Sequence, residues 1–324
     1  MTRSPLEIRV VAPSLSYGEK RKYAMQYSRA KSRLEARGYR VTYGSNIKNV
    51  MHFGTASREE RADDFNQAYR DANVDIIIAL SGGWSCNEIL PYIDWEVLRK
   101  NPKPLVGFSD ISVLLNAIYA KTGGVGYLGP TFSRLGQMVE WRYSLDAAQA
   151  VWRQDGIYQP SRSKRCGESR ADMKNTPLWR VLCAGRAEAI VLGGNLGSLF
   201  LLPGTEYCPT FDKPFIWAME DDDESGRYTA MEVSRRFEAW LQQPGFRKYL
   251  AGLIIGRFQV GSRVSRHDIE SIVLSKNLGN IPVLYDLDFG HTLPMMTLPI
   301  GGVVRIDTAR RALLTILPPA TPQY

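Results

Sequence analysis

Apolar residues in the first half of the chain fall in short runs, separated by amphipathic, charge-rich stretches. Residues 6–11 (LEIRVV) read as a strand. Residues 20–37, rich in Lys, Arg, Ala and Glu, read as a helix ended by Gly38, and residues 39–43 as a second strand. Residues 57–72 (SREERADDFNQAYRDA) open with a serine cap and place acids in the first turns, where they face the positive end of the helix dipole. The run 74–80 (VDIIIAL) is nearly continuous in apolar side chains, the pattern of a strand covered on both faces. Residues 104–108 give another strand and 110–120 another helix. Strand and helix in alternation predict a parallel, doubly wound α/β sheet with right-handed crossovers.

The pattern changes near residue 160. Residues 161–175 (SRSKRCGESRADMKN) are polar, basic and poor in apolar side chains, and read as a linker or surface loop with solvated charges. Beyond them, 187–192, 215–219, 253–255, 282–285 and 302–306 read as strands, with helical patterns only at 229–242 and 267–274. This divides the chain into an N-terminal α/β domain (1–160), a linker (161–185) and a smaller mixed C-terminal domain (186–324).

Composition narrows the function classes. The 324 residues are 44% hydrophobic and 23% charged, ordinary for a globular chain and long enough for two domains. Forty-one Lys and Arg against thirty-three Asp and Glu give +8, which suits anionic small molecules and does not by itself point to nucleic acid. No apolar stretch has the roughly 18 residues of a membrane helix, and the apolar segment near the N-terminus is broken by Glu7 and Arg9, unlike a signal peptide. Cys86, Cys166, Cys183 and Cys208 are scattered, as reduced thiols of a cytoplasmic protein would be.

In open parallel sheets, ligands bind beyond the carboxyl ends of the strands. Two loops leave strands there. The first, Ser81-Gly82-Gly83-Trp84-Ser85-Cys86-Asn87, can present backbone amides to an anion or simply turn the chain tightly; no Gly-Lys-Ser/Thr follows, so it is not a P-loop. The second, Gly107-Phe108-Ser109-Asp110-Ile111, puts a serine between strand and helix, the logic of a nucleophile elbow, with Ile111 in place of the last glycine. Ser109 fits either that role or a plain helix cap.

A serine nucleophile needs a base, and only His52, His267 and His291 exist. His267 sits between Arg266 and Asp268 at a helix start and reads as exposed; His52 follows Met51 in a stretch after the second strand. His291, in the Gly/Pro-bounded loop Asp288–Pro294, is the better base candidate, although a backbone-bonded loop histidine would look the same. The strand 215–219 runs into five acids, Glu220-Asp221-Asp222-Asp223-Glu224. Glu220, directly after the strand, is the best placed to orient an imidazole; a solvated acidic loop or a hard-metal site are the other readings of the run.

The segment from Ser81 to Tyr119 (SGGWSCNEILPYIDWEVLRKNPKPLVGFSDISVLLNAIY) resembles the LD-carboxypeptidase family of serine peptidases, and within it the branch of microcin C immunity proteins. Leu192-Gly193-Gly194-Asn195-Leu196, the strand ending at Glu220, Gly256-Arg257-Phe258 and Asp288-Phe289-Gly290-His291 agree in order, so the resemblance spans nearly the whole chain. It implies a flavodoxin-like domain joined to a swivelling β/α C-terminal domain. It also implies a Ser109–Glu220–His291 triad, an oxyanion hole from the Gly83 and Asp110 amides, no metal or cofactor, and a cytoplasmic homodimer. The implied substrates are aminoacyl or peptidyl nucleotide conjugates, cut at the amide to the phosphoramidate, or murein tetrapeptides, cut to release D-alanine. Trp84 and Trp179 are candidates to stack on a base or aromatic side chain, or to serve in packing. A non-catalytic binder of an anionic metabolite is the remaining alternative; Ser109 and His291 lying far apart, with no closure able to join them, would favour it.

Overall fold

A computed structural model describes residues 5–17, 23–153, 156–309 and 312–318. In the first half, strands β1 (Glu7–Val11), β2 (Arg40–Tyr43), β3 (Val74–Ala79), β4 (Leu105–Gly107) and β5 (Gly126–Leu128) alternate with helices α1 (Ala24–Glu35), α2 (Arg58–Arg70), α3 (Trp95–Lys100) and α4 (Ser112–Thr122). The strands pair in parallel in the order β2-β1-β3-β4-β5. This is the flavodoxin-like order, whose switch point lies between β1 and β3.

Helices α5 (Phe132–Leu135) and α6 (Trp141–Trp152) lead to a small hairpin, β6 (Arg165–Cys166) and β7 (Lys174–Asn175). A second parallel set follows: β9 (Arg186–Asn195), β10 (Phe215–Glu220), β11 (Leu250–Gly256) and β12 (Val283–Leu287), with β8 (Arg180–Cys183) antiparallel on its outer edge. Helices α7 (Leu196–Leu199), α8 (Thr229–Leu241), α9 (Phe246–Tyr249) and α10 (Arg266–Ser275) lie between these strands in sequence. Strand β13 (Leu298–Ile300) pairs antiparallel with β5 and touches β9 through Ile300 and Val191. With β14 (Val303–Asp307) and β15 (Leu313–Ile316), the two sets become one sheet of 13 strands among the described residues. Among the described residues, no helix is long and apolar enough to cross a membrane.

Local sequence accounts for these elements. Ser57 and Glu60 form a reciprocal capping box that starts α2. Every residue of β10 is buried, and Trp217 packs against Trp240 of α8 and Phe246 of α9 with ring centroids 5.1 and 5.0 Å apart. That aromatic cluster fixes the strand whose last residue is Glu220. The halves are also clasped by α4: Asn116 Nδ2 donates to the Gly193 carbonyl (2.9 Å), and the Gly193 amide donates back to Asn116 Oδ1 (3.0 Å).

The expected parallel sheet and most of its elements are present, with some differences. The helix expected from residue 20 begins at Ala24 among the described residues, 20–22 lying outside them. Helix α4 starts at Ser112 because Ser109–Ile111 form a separate 3-10 turn. Residues 161–175 bear the β6–β7 hairpin, with Ser163 and Cys166 buried, while Lys164, Arg165 and Arg170 are exposed, as a surface loop with solvated charges would have them.

Candidate active site

The loops at the carboxyl ends of both parallel sets converge on a cleft of about 650 Å³. Leu15 follows β1, Ser81–Trp84 follow β3, Phe108–Asp110 follow β4 and Thr131–Arg134 follow β5 on one side; Asn195, Asp222–Ser225, Gln259 and His291 come from the other.

Ser109 stands at the turn out of β4 with φ +61°, a left-handed conformation that serine adopts at a cost of roughly 1–3 kcal/mol. Buried polar ties hold it there. The Asp110 carboxylate accepts from Ser14 Oγ (2.6 Å) and from the Cys86 amide (2.9 Å), binding the β1, β3 and β4 loops together. Burial raises the Asp110 carboxyl above its ordinary range, against these hydrogen bonds. Arg61, buried, donates to the carbonyls of Pro13 (2.8 Å) and Ser85 (2.9 Å) and pairs with Glu88. Gly82 is required by proximity: a Cβ there would lie 2.9 Å from Ser109 Cβ. At Gly83 it would fall on Ser14 Oγ.

His291 Nε2 lies 3.0 Å from Ser109 Oγ, and its Nδ1 lies 2.7 Å from Glu220 Oε2. The residues read from the sequence as nucleophile, base and orienting acid thus form one hydrogen-bonded chain across the two halves. Burial alone would lower the imidazole pKa; the charge and hydrogen bond of Glu220 outweigh it and raise His291 above the ordinary value. Gly290 lets the loop pass close to the carboxylate, since a Cβ there would lie 3.1 Å from Glu220 Oε2. An imidazole held this way can take a hydroxyl proton and return it to a departing group.

A second network, buried except for half-buried Trp179, carries the histidine loop. Asp288 accepts from Arg257 Nη1 (2.6 Å), Trp179 Nε1 (2.7 Å) and Ser163, while Arg257 also donates to Thr292 Oγ1 (3.2 Å) and the Pro294 carbonyl (3.0 Å). The loop 288–294 is therefore clamped on both sides of His291.

The two tryptophans part company. Trp84 lies on the cleft wall, 61% exposed, with Nε1 donating to Glu224 Oε1 across the mouth (3.0 Å). Trp179 does not line the cleft: it is half-buried, and its indole N–H is spent on Asp288. The acidic run is also more than a solvated loop. Asp221 pairs with Arg236 (2.8 Å), and burial pushes its carboxyl up to about 6 against that pairing. Asp222 accepts from Asn195 Nδ2 (3.3 Å). Among the described residues, no group of three or more His, Cys, Asp or Glu side chains is placed to hold a metal ion. His52 and His267 are exposed, away from the cleft.

Sequence reading missed three contributors: Arg134, whose guanidinium lies over Phe108 (5.2 Å), and the Arg257–Asp288 pair. Arg134 follows β5, three residues too short to show periodicity, so nothing marked its loop as a strand exit. For Arg257 and Asp288 the available signal was their place beside strand ends, in segments already noted for other reasons.

Comparison with known proteins follows the same two-part division. YocD of Bacillus subtilis (strain 168), which carries a provisional carboxypeptidase name, is 34% identical over 93% of this chain and 93% of its own. The crystal structure of an MccF-like protein from Bacillus anthracis superposes with a TM-score of 0.92 at 32% identity, covering 98% of each chain. The microcin C7 self-immunity protein MccF of Escherichia coli is 28% identical over 85% of this chain and 83% of its own. Residues 8–129 match the LD-carboxypeptidase N-terminal domain and residues 188–306 the LD-carboxypeptidase C-terminal domain. With one domain supplying Ser109 and the other Glu220 and His291, the chain belongs to the LD-carboxypeptidase family of serine peptidases.

Proposed function

We propose that this protein is a serine hydrolase that cleaves the amide joining an amino acid or peptide carboxyl group to a nucleotide-like phosphoramidate or sulfamate. The observation that carries the chemistry is the hydrogen-bonded run Ser109–His291–Glu220 on the cleft wall. Ser109 Oγ attacks the carbonyl carbon as its proton passes to His291 Nε2, and Glu220 stabilises the imidazolium. The Gly83 and Asp110 amides receive the oxyanion, a contribution of about 3–4 kcal/mol per donor in comparable sites. The C–N bond then breaks, His291 protonates the leaving nitrogen, and a water molecule activated by the same imidazole releases the acid from Ser109. The Ser109–His291 distance of 3.0 Å supports this reading over a non-catalytic binder, which a wide separation would have favoured.

The substrate class is supported by likeness to microcin immunity proteins: MccF has been solved with glutamyl sulfamoyl guanosine and with aspartyl sulfamoyl adenosine. Trp84, exposed at the cleft mouth, offers a stacking face for a base. A second reading, murein tetrapeptide carboxypeptidase releasing D-alanine, is favoured by a Pseudomonas aeruginosa protein of that name, 34% identical over 104 residues. As in the family it resembles, the enzyme is proposed to act as a cytoplasmic homodimer without metal or cofactor.

The test is a panel of aminoacyl sulfamoyl and phosphoramidate nucleosides beside murein tetrapeptide, with wild type and Ser109→Ala. The expected result is nucleoside release by wild type only, with the variant's circular dichroism unchanged. Faster D-alanine release would select the second reading, and hydrolysis of neither substrate would sink both.

A further inference from the structure

Among the described residues two arginines line the cleft, and they differ in their partners. Arg236 is neutralised where it stands, with Nη1 2.8 Å from Asp221 and Nη2 3.3 Å from Glu232. Arg134 is not. Among the described residues its guanidinium makes one hydrogen bond, from Nη2 to the His291 carbonyl (2.9 Å), and no salt bridge. A guanidinium has five N–H donors, so most of this group's capacity is unspent inside a polar cleft. The carboxylates whose charges reach it, Glu220 and Glu168, make no ion pair with it: Glu220 Oε2 is bonded to His291, and Glu168 Oε1 to the Val260 amide (2.5 Å).

Its location says where an anion would sit. Arg134 stacks on Phe108, the residue before Ser109, and the same ring lies edge-on to His291 with centroids 5.1 Å apart. The guanidinium therefore adjoins His291, bonded to its carbonyl and sharing the Phe108 ring with its imidazole. The cleft is also lined by Asp222, Asp223 and Glu224, which would repel an anion from their part of it. In the proposed mechanism the imidazole must hand its proton to the leaving nitrogen, so the leaving group lies next to the imidazole that Arg134 adjoins.

We infer that Arg134 anchors an oxyanionic group borne by the leaving group, attached within two bonds of the scissile nitrogen. This deepens the proposed function and rests on it for the choice of side. Both candidate substrates share that chemistry: a phosphoramidate carries its charged phosphoryl directly on the nitrogen, and a C-terminal amino acid carries its carboxylate one carbon further. A planar guanidinium matches either group with paired, charge-assisted bonds.

The test measures binding by calorimetry in a Ser109→Ala background, with two matched ligand pairs. One pair is murein tetrapeptide and its C-terminal amide; the other is an aminoacyl phosphoramidate nucleoside and its uncharged phosphoryl methyl ester. The charged member of at least one pair is expected to bind about 30- to 100-fold more tightly than the neutral member, the worth of a charge-assisted pair. The pair that shows the preference identifies the anion as carboxylate or phosphoryl. Adding Arg134→Gln should bring that ratio near unity, and Arg134→Lys should restore part of it. A role confined to holding the His291 carbonyl would weaken both members of a pair alike and leave the ratio untouched. A ratio that survives in a folded Arg134→Gln protein, or the absence of any preference for charge, overturns the inference. Hydrolysis by wild type without an Arg134-dependent ratio would leave the hydrolase reading standing alone. The ratio without hydrolysis would keep the anion site and remove the hydrolase.

Discussion

The first half of the chain offers the cleft a hydroxyl held by backbone geometry; the second offers an imidazole held by charge. Ser109 is aimed by a left-handed turn, by glycines that allow close approach and by the Asp110 tie among three loops. His291 is aimed by the Glu220 carboxylate on one ring nitrogen and by a loop clamped through Asp288 and Arg257. Backbone geometry does not titrate, whereas a charged pair does. The nucleophile side should therefore respond to substitutions through strain and stability, and the imidazole side through pH and buried-charge energetics.

The contrast can be broken most severely at the hydroxyl itself. Ser109→Ala is expected to lower kcat by about 10⁶-fold, as loss of a triad nucleophile does elsewhere. Its melting temperature should change little, because alanine keeps the same strained φ. On the other side, Glu220→Gln should lower kcat by about 10³- to 10⁴-fold. It should also move the acid limb of the kcat/KM profile to lower pH. The sign follows from the cause: the Glu220 charge raises the imidazole pKa, a protonated imidazole cannot act as base, and removing that charge lowers the pKa. A limb that stays in place would detach Glu220 from the chemistry.

Stability separates the halves more finely. Asp288→Ala strands the buried Arg257 guanidinium and should cost about 3–5 kcal/mol in denaturant unfolding. The double replacement Arg257→Met/Asp288→Leu should recover part of that loss. Ser109→Gly should do the opposite and stabilise the fold by about 1 kcal/mol, because glycine adopts φ +61° freely. Unchanged or reduced stability there would mean that the turn is not strained.

What the sequence disclosed follows the same physics. Long apolar strands such as β3 and β10 and the capped helix α2 announce themselves, because periodicity and caps are local. Strands β5 and β13, three residues each, do not, and it is their antiparallel pairing that joins the two parallel sets into one sheet. Ser109 and His291 were legible because few residue types can do their chemistry and only three histidines exist. Trp179 misled for the converse reason: an indole suits a base stack or a hydrogen bond to Asp288 equally well until the fold brings residues 109 positions apart together. Arg134 was hidden among 41 basic residues, and only its missing counter-charge distinguishes it.

The claim on which the account turns is that the hydroxyl of one half and the imidazole of the other act as a single unit. A double-mutant cycle on kcat/KM tests it with Ser109→Ala, His291→Ala and the pair, using whichever substrate the wild type hydrolyses. Groups that act together give a double variant no slower than the slower single one. If instead the two losses multiply, Ser109 and His291 work independently, and the hydrogen bond between them is not the source of the activity.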